Sequence, residues 1–336
     1  MRAFLTGGTG LVGSQVAEQL VGHGHALRAL VRPGSDTSHL RQLGAELVTG
    51  DLLEPRNLPR ALQGCDVVLH HAARVGEWGD WRAFEQLGAG GTRTLLAAAE
   101  RAGVRRFVHM SSAAVYGMLR IRGRLVQERL GPERHVGRWS AYERAKVAAE
   151  RAVAEARARG LETVVLRPTV VYGPRDRTVL PRLASLLRAG RLRLVGSPEN
   201  RLHVIYVRDV AEAALAAATL PAASGEVYHL DGPGDVTQRA FFAGIADMLE
   251  LPPPSRRLPL YPAYALGWLH EAWGHLRRSP EPPALTRFLV ALSGGPAAFD
   301  LTKARRELGW VPRTGAEEGL RLTADWWRGE TGAAAA

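Results

Sequence analysis

Six residues in, the chain commits to a fold. Arg2-Ala3-Phe4-Leu5-Thr6 reads as a short buried strand, and Ser14 to Val21 reads as a helix. Between them, Gly7, Gly10 and Gly13 make G-x-x-G-x-x-G. Such a loop lets backbone approach a pyrophosphate, and the helix behind it offers unpaired N–H groups and a positive dipole end. Strand, loop and helix in immediate succession open a dinucleotide-binding βαβ unit. Gly7, Gly10, Leu11, Val12 and Gly13 are thereby candidate cofactor residues.

The alternation continues downstream. The strand Ala26 to Val31 ends in Arg32-Pro33-Gly34-Ser35. An NAD site usually carries Asp or Glu here for the ribose hydroxyls; Arg32 with Ser35 suits a 2′-phosphate, so NADP is expected, with NAD as the alternative. A third strand, Glu46 to Thr49, leads to Asp51 and Leu52, with Asp51 in reach of an adenine amino group. A fourth, Asp66 to His70, leads to Ala72 and Ala73, small enough for a cofactor to lie across. Trp78 and Trp81 follow, and either wall an apolar pocket or belong to the core. After a helix over 92–101, the strand Arg106 to Met110 delivers Ser111 and Ser112 to its carboxyl end, where open α/β sheets bind ligands. A sixth strand spans Thr163 to Arg167. Beyond 175 the pattern breaks into a helix at 179–188, isolated strands (His203 to Val207, Val227 to Leu230) and proline-rich joints (252–254, 281–283). The reading is α/β: a doubly wound parallel sheet (Rossmann) in 1–174, then a smaller C-terminal α/β substrate domain in 175–330, with about 203–220 returning to the first.

The chemistry is carried by Tyr142-Glu143-Arg144-Ala145-Lys146. Ser140 is a candidate N-cap, and Ala145, Ala148, Ala149, Glu150 and Ala152 favour a helix. Residues four apart are neighbours on one helix face. An ammonium beside a phenol stabilises the phenolate, so Tyr142 is expected to have a lowered pKa and to exchange protons near neutrality. Composition sharpens this. Of 44 basic side chains only Lys146 and Lys303 are lysine. A compact ammonium with a movable pKa stands where guanidinium would not serve.

The same composition limits the partners. The net charge is +11, yet the arginines are spread through helices and interleaved with glutamates, with no aromatic-studded basic tract. No nucleic-acid partner is expected; a G+C-rich genome explains the arginine. A single cysteine, Cys65, excludes an internal disulfide and a cysteine-rich metal site, and no metal is expected. The chain enters structure at once, leaving no room for a signal peptide, so the cytoplasm is the expected compartment. The run 258–276 is interrupted by Pro259, Pro262, His270, Glu271 and His275, which argues against a membrane span.

With these residues placed, the chain resembles the extended short-chain dehydrogenase/reductase (epimerase/dehydratase) superfamily over nearly its whole length. The segments are Thr6 to Gly13, Gly50 to Leu52, Ser111 to Gly117, Tyr142/Lys146, Arg167 to Asp176, Val204 to Val210 and Lys303 to Pro312. It is most similar to the 3β-hydroxysteroid dehydrogenase branch, which includes sterol dehydrogenases and 2-alkyl-3-oxoalkanoate reductases, through Val75 to Asp80, Arg167 to Asp176 and Pro283 to Phe288. The resemblance implies an oxidoreductase interconverting a secondary alcohol and a ketone on an apolar, sterol-like or 3-oxo acid substrate. Tyr142 would be the general acid/base, Lys146 its partner on the nicotinamide ribose, and Ser112 the hydroxyl on the reacting oxygen, with Ser111 in competition. Pro168 and Val170 would flank the cofactor; Trp78, Ser112, Tyr116, Tyr172, Arg175 and Tyr206 would meet substrate. It also implies a homodimer through helices near 92–101 and 141–159, and peripheral membrane contact through 258–276. One departure stands out: Gly88, in Gly88-Ala89-Gly90-Gly91-Thr92, occupies the place of a family Asn that orders the active-site side. Two alternatives share the fold. A nucleotide-sugar epimerase/dehydratase would grip a diphosphate with an Arg-Asp pair before the Val204 strand, where this chain has Arg201 one place off and Arg175 or Arg182 to substitute. A non-catalytic NADP-binding sensor would typically have lost Tyr and Lys.

Overall fold

A computed structural model describes residues 1–117, 121–133, 136–137, 139–234, 236–294 and 297–333. Seven parallel strands form the central sheet: β1 (Arg2–Thr6), β2 (Ala26–Val31), β3 (Glu46–Thr49), β4 (Val67–His70), β5 (Arg106–Met110), β6 (Glu162–Pro168) and β7 (Val227–Leu230). Their spatial order is β7-β6-β5-β4-β1-β2-β3. Because β1 is flanked by β2 and β4, the chain reverses its winding there, and the crevice at the carboxyl ends of these strands is where such sheets take ligands.

Alternation along each strand builds a core on both faces. Ala3, Leu5, Val67, Leu69, Val108 and Leu166 point to one side, against α1 (Leu11–Gly22) and the later helix Val207–Thr219. Phe4, Val68, Phe107 and Val165 point to the other, against α2 (Gly91–Ala102) and α3 (Ala141–Ala158). Leu5 and Phe107 are fully buried; truncating such a side chain to Ala costs roughly 2–5 kcal/mol. Position is therefore rigidly defined at the ends of β1, β4 and β5.

Val227–Leu230 was expected as an isolated strand of the smaller domain. It instead extends the main sheet, pairing in parallel with β6 (Val227 with Val165, Leu230 with Pro168). The intervening chain had hidden this: residues 175–226 carry α4 (Val179–Arg188) and α5 (Val207–Thr219), and only α5 returns beside α1. Of the rest of the C-terminal half, Ala304, Leu308 and Trp310 also return to the core beside α1, and Leu183 and Leu186 of α4 line the cleft at the carboxyl edge. In this half α6 (Gln238–Met248), α7 (Leu260–Leu276), α8 (Arg287–Gly294) and α9 (Ala316–Ala333) accompany the short paired strands Val170–Tyr172 and Val204–Tyr206. No helix among the described residues is long and apolar enough to cross a membrane.

Candidate active site

The glycine loop is as tight as its sequence demands. Gly7 has φ +74°, and a Cβ there would lie 2.7 Å from the amide nitrogen of Ala72; one on Gly13 would lie 2.1 Å from the Gly7 carbonyl oxygen. Any side chain at either position would push the loop off β4 or off α1. The first turn of α1 cannot pair its own N–H groups, and Leu11, Val12 and Gly13 present them to a cavity of about 480 Å³. All fifteen residues assigned to the cofactor line this one cavity: Gly7, Gly10, Leu11, Val12, Gly13, Arg32, Asp51, Leu52, Ala72, Ala73, Ser111, Tyr142, Lys146, Pro168 and Val170. The lining fits a dinucleotide: unpaired amides at one point, apolar Leu52, Pro168 and Val170 around it, and cations Arg32, Arg175 and Arg177 beside Ser35 at the β2 end.

Ser112, Tyr142 and Lys146 meet in the same cavity. Ser112 sits just past β5, and α3 supplies the other two. Ser140 occupies the N-cap position without making a side-chain cap bond. The Lys146 amine lies 5.9 Å from the centre of the Tyr142 ring and donates to the Met110 carbonyl at 2.8 Å. The phenol does not behave as the spacing alone suggests. Burial pushes the Tyr142 pKa up, the Ser112 hydroxyl pulls it back, and Glu143 adds a smaller upward push. Lys146 is itself buried, which draws its pKa down to about 8 while Glu150 holds it up. Desolvation thus outweighs the Ser112 hydrogen bond, and the phenol is protonated at neutral pH.

Behind the pair lies a row of histidines that the sequence reading passed over. Register places Thr6, His70 and His109 side by side across β1, β4 and β5. The Thr92 hydroxyl donates to the Gly88 carbonyl at 2.6 Å, so it accepts from Nε2 of His70 at 3.0 Å, and the Thr6 hydroxyl donates to Nδ1 at 2.8 Å. His70 is therefore a neutral Nε2–H tautomer, and burial lowers its pKa to about 3. This explains Gly88. It lies in a π-helical turn, Gln86–Gly90, pressed on α3, where a Cβ would come within 3.1 Å of the Ala145 Cβ. A side chain at 88 would require the turn or the helix carrying Tyr142 to give by a few tenths of an ångström.

Of the remaining substrate residues, Arg175 lines the cavity but is bonded to Glu18 and His39 near the β2 end. Four aromatic residues expected at substrate, Trp78, Tyr116, Tyr172 and Tyr206, are not in the lining of this cavity. Tyr116 is fully buried, its hydroxyl held between Arg167 and His229. Tyr172 and Tyr206 pair across the short strands and turn into a cluster with Phe241 and Leu320. Trp78 stacks on His275 at 4.3 Å and donates to the Ser279 carbonyl, so it supports α7 instead of walling the cavity. Each aromatic satisfied its own packing or hydroxyl partner elsewhere, which motif spacing does not reveal. The lining also includes Leu183 and Leu186 of α4 and Phe288, Leu289 and Leu292 of α8, and the Phe288 ring stands edge-on to Tyr142 at 6.3 Å. An adjoining cavity of about 230 Å³ shares Tyr142 and Phe288 and is lined by Glu133, Glu143, Glu271 and Trp139. Burial raises the Glu143 carboxyl to about 7.

This geometry has close relatives. The family described as "NAD dependent epimerase/dehydratase family" matches residues 3–230. A 2-alkyl-3-oxoalkanoate reductase of Stenotrophomonas maltophilia is 33% identical, covering 96% of this chain and 98% of the relative. A 4-hydroxy-2-methyl-3-oxo-4-farnesyl-3,4-dihydroquinoline-1-oxide ketoreductase of Stigmatella aurantiaca is 33% identical, covering 95% of each. The crystal structure of gox2253 superposes with a TM-score of 0.78 at 31% identity, covering 98% of both chains. The chain belongs to the NAD dependent epimerase/dehydratase family and is an oxidoreductase within it, using NAD or NADP.

Proposed function

We propose that the protein reduces a ketone to a secondary alcohol on an apolar substrate, with NADPH as the favoured cofactor. The observation that carries this reading is the convergence of Ser112, Tyr142 and Lys146 on one cavity also lined by Leu183, Leu186, Phe288, Leu289 and Leu292. The bound cofactor supplies the hydride. Ser112 orients the carbonyl oxygen, and Tyr142, protonated because it is buried, gives its proton to that oxygen as negative charge develops there. Lys146 offers positive charge beside the resulting phenolate. A protonated phenol at rest suits the reductive direction, and both named relatives are reductases.

NADPH is favoured by the cations at the β2 end. Arg32 lines it with Ser35, at the position where an NAD site usually carries Asp or Glu, while Arg175 is already bonded to Glu18 and His39 and Arg177 is paired with Asp36. A charge-assisted bond to a 2′-phosphate is worth roughly 1.5–3 kcal/mol, or about 10–100-fold in kcat/KM. The nucleotide-sugar alternative finds less support. Arg182 is committed to Glu77 and the Pro283 carbonyl, and Arg175 to Glu18 and His39, so these two candidate diphosphate ligands are already engaged. The substrate region after 175 acts, on this reading, as a cover.

That cover carries an outward apolar face. Six of the nine exposed large apolar side chains among the described residues lie on α7: Tyr261, Leu266, Trp268, Leu269, Trp273 and Leu276. Arginines 256, 257, 277 and 278 flank the helix and are exposed. We read this as docking on an anionic lipid surface, from which an apolar substrate would arrive. A second copy fits less well, because antiparallel pairing would set arginine against arginine. Cosedimentation with anionic phospholipid vesicles tests the docking, and recovery in the supernatant as a dimer contradicts it. Turnover of NADPH and NADH with 3-oxo acids, sterols and UDP-sugars tests the reaction. Ketone-dependent NADPH oxidation is expected; sugar epimerisation without net cofactor change contradicts it.

A further inference from the structure

Tyr142, Lys146 and Glu150 stand at successive four-residue steps on the inner face of α3, and the third has had no part in the chemistry so far. Glu150 is buried beneath the site and fully committed. Its Oε1 accepts from Ser111 Oγ at 2.5 Å and from Arg167 Nε at 2.9 Å; its Oε2 accepts from Arg167 Nη2 at 2.5 Å. Arg167 in turn donates to Tyr116, whose hydroxyl donates to His229, all within the core. An isolated buried ion pair is weak evidence of stabilisation, since desolvation offsets attraction. A carboxylate locked by a bidentate guanidinium one turn from a buried ammonium has a second use: it fixes the field at that ammonium.

We propose that Glu150, clamped by Arg167 and Ser111, is the positioning residue that keeps Lys146 cationic beneath Tyr142. This rests on the reading of Tyr142 and Lys146 given above. The groups facing Lys146 are Tyr142 and Glu150 from α3, His70 and His71 at the end of β4, and His109 from β5. Burial keeps all three histidines neutral at working pH, with His70 and His71 near 3. Glu150 is then the single ionised partner, and the one group that supports the Lys146 charge against burial. Ser111 becomes part of the clamp as well as of the cavity wall, which separates it from Ser112, whose side chain reaches Tyr142.

The scarcity of lysine makes the test direct. Protein labelled with [13Cε]lysine has two signals, Lys146 and Lys303. In the native protein the Lys146 signal is expected to titrate near 8. In Glu150→Gln it should titrate at least one pH unit lower, equal to a tenfold change in the protonation constant, with Lys303 unmoved. Ketone reduction should then fall about fivefold at pH 8 and little at pH 6, because a lowered ammonium pKa moves the alkaline limb down. Should the single variant fail to fold with Arg167 unpaired, Glu150→Gln/Arg167→Leu removes both charges and should show the same displacement. An unmoved Lys146 titration in whichever variant folds overturns the proposal. Turnover by Tyr142→Phe would instead overturn the catalytic reading and leave the titration result standing.

Discussion

Two helices of nearly equal length treat polarity in opposite ways. The helix α3 (18 residues) turns Tyr142, Lys146 and Glu150 inward and leaves Arg151, Glu155 and Arg157 to solvent. The helix α7 (17 residues) turns small residues and one buried acid inward, and leaves tryptophan, tyrosine and leucine outside. A Cβ on Gly267 would meet the Arg287 amide nitrogen at 3.0 Å, and one on Gly274 would meet the Trp78 ring at 2.8 Å, so α7 lies close on its support through its glycines. Ordinary amphipathic helices bury the apolar face and expose the polar one. Each departure carries a cost: α3 desolvates ions, while α7 forgoes roughly 1.5–3 kcal/mol for every large side chain it could have buried. Costs of this kind persist where a local rule is broken for function. On the proposed reading, α3 serves a reacting oxygen and α7 a lipid surface outside the protein.

The comparison breaks first at α3. Tyr142→Phe keeps the packing and removes the acid, so ketone reduction should fall by roughly 10²–10⁴-fold while NADPH affinity by fluorescence titration stays within a few-fold. Lys146→Arg retains charge but not shape. The guanidinium cannot reproduce the 2.8 Å bond to Met110 within the same volume, and about a hundredfold loss in kcat is expected from steady-state assays. At α7 the triple change Trp268→Ser, Leu269→Ser, Trp273→Ser should abolish vesicle binding yet leave kcat on a short, water-soluble ketone within about twofold. Those three side chains are roughly half exposed and their loss opens no core cavity.

The smallest effect sharpens the account of α3. Glu143 has its folded pKa raised to about 7 by burial. Below the ordinary carboxyl value near 4.5 both states hold the proton and nothing is lost. As pH rises from there to about 7 the unfolded chain ionises first, so stability declines and stays reduced above 7. Glu143→Gln should therefore match the native Tm at pH 4.5 and exceed it by a few degrees at pH 8, measured by calorimetry. Equal Tm values at pH 8 would show that the carboxyl is solvated.

How far sequence reaches differs between the halves for a physical reason. The glycine loop, the strand ends and the Tyr142/Lys146 spacing are legible because backbone geometry and helix periodicity fix them locally. Gly7 and Gly13 could be read without knowing what they touch. The cover could not be read this way. Trp78, Tyr116, Tyr172 and Tyr206 are all aromatic, and whether each faces a ligand or a neighbour depends on distant chain segments, 201 residues away for Trp78 and Ser279 and 113 for Tyr116 and His229. The direction of the Tyr142 pKa departs from the spacing for the same cause: the spacing reveals the ammonium but not the burial that raises the phenol. The orientation of α7, left open by its sequence, was settled by which face its glycines allow to approach Trp78 and Arg287.

The central claim, that a ketone is reduced here with Tyr142 supplying the proton, is tested most directly by isotope transfer. NADPH deuterated at the hydride-donating carbon, incubated with a long-chain 3-oxo acid, should yield a secondary alcohol with one deuterium on its carbinol carbon, and Tyr142→Phe should yield almost none. An unlabelled product, or undiminished labelling by Tyr142→Phe, would contradict the account.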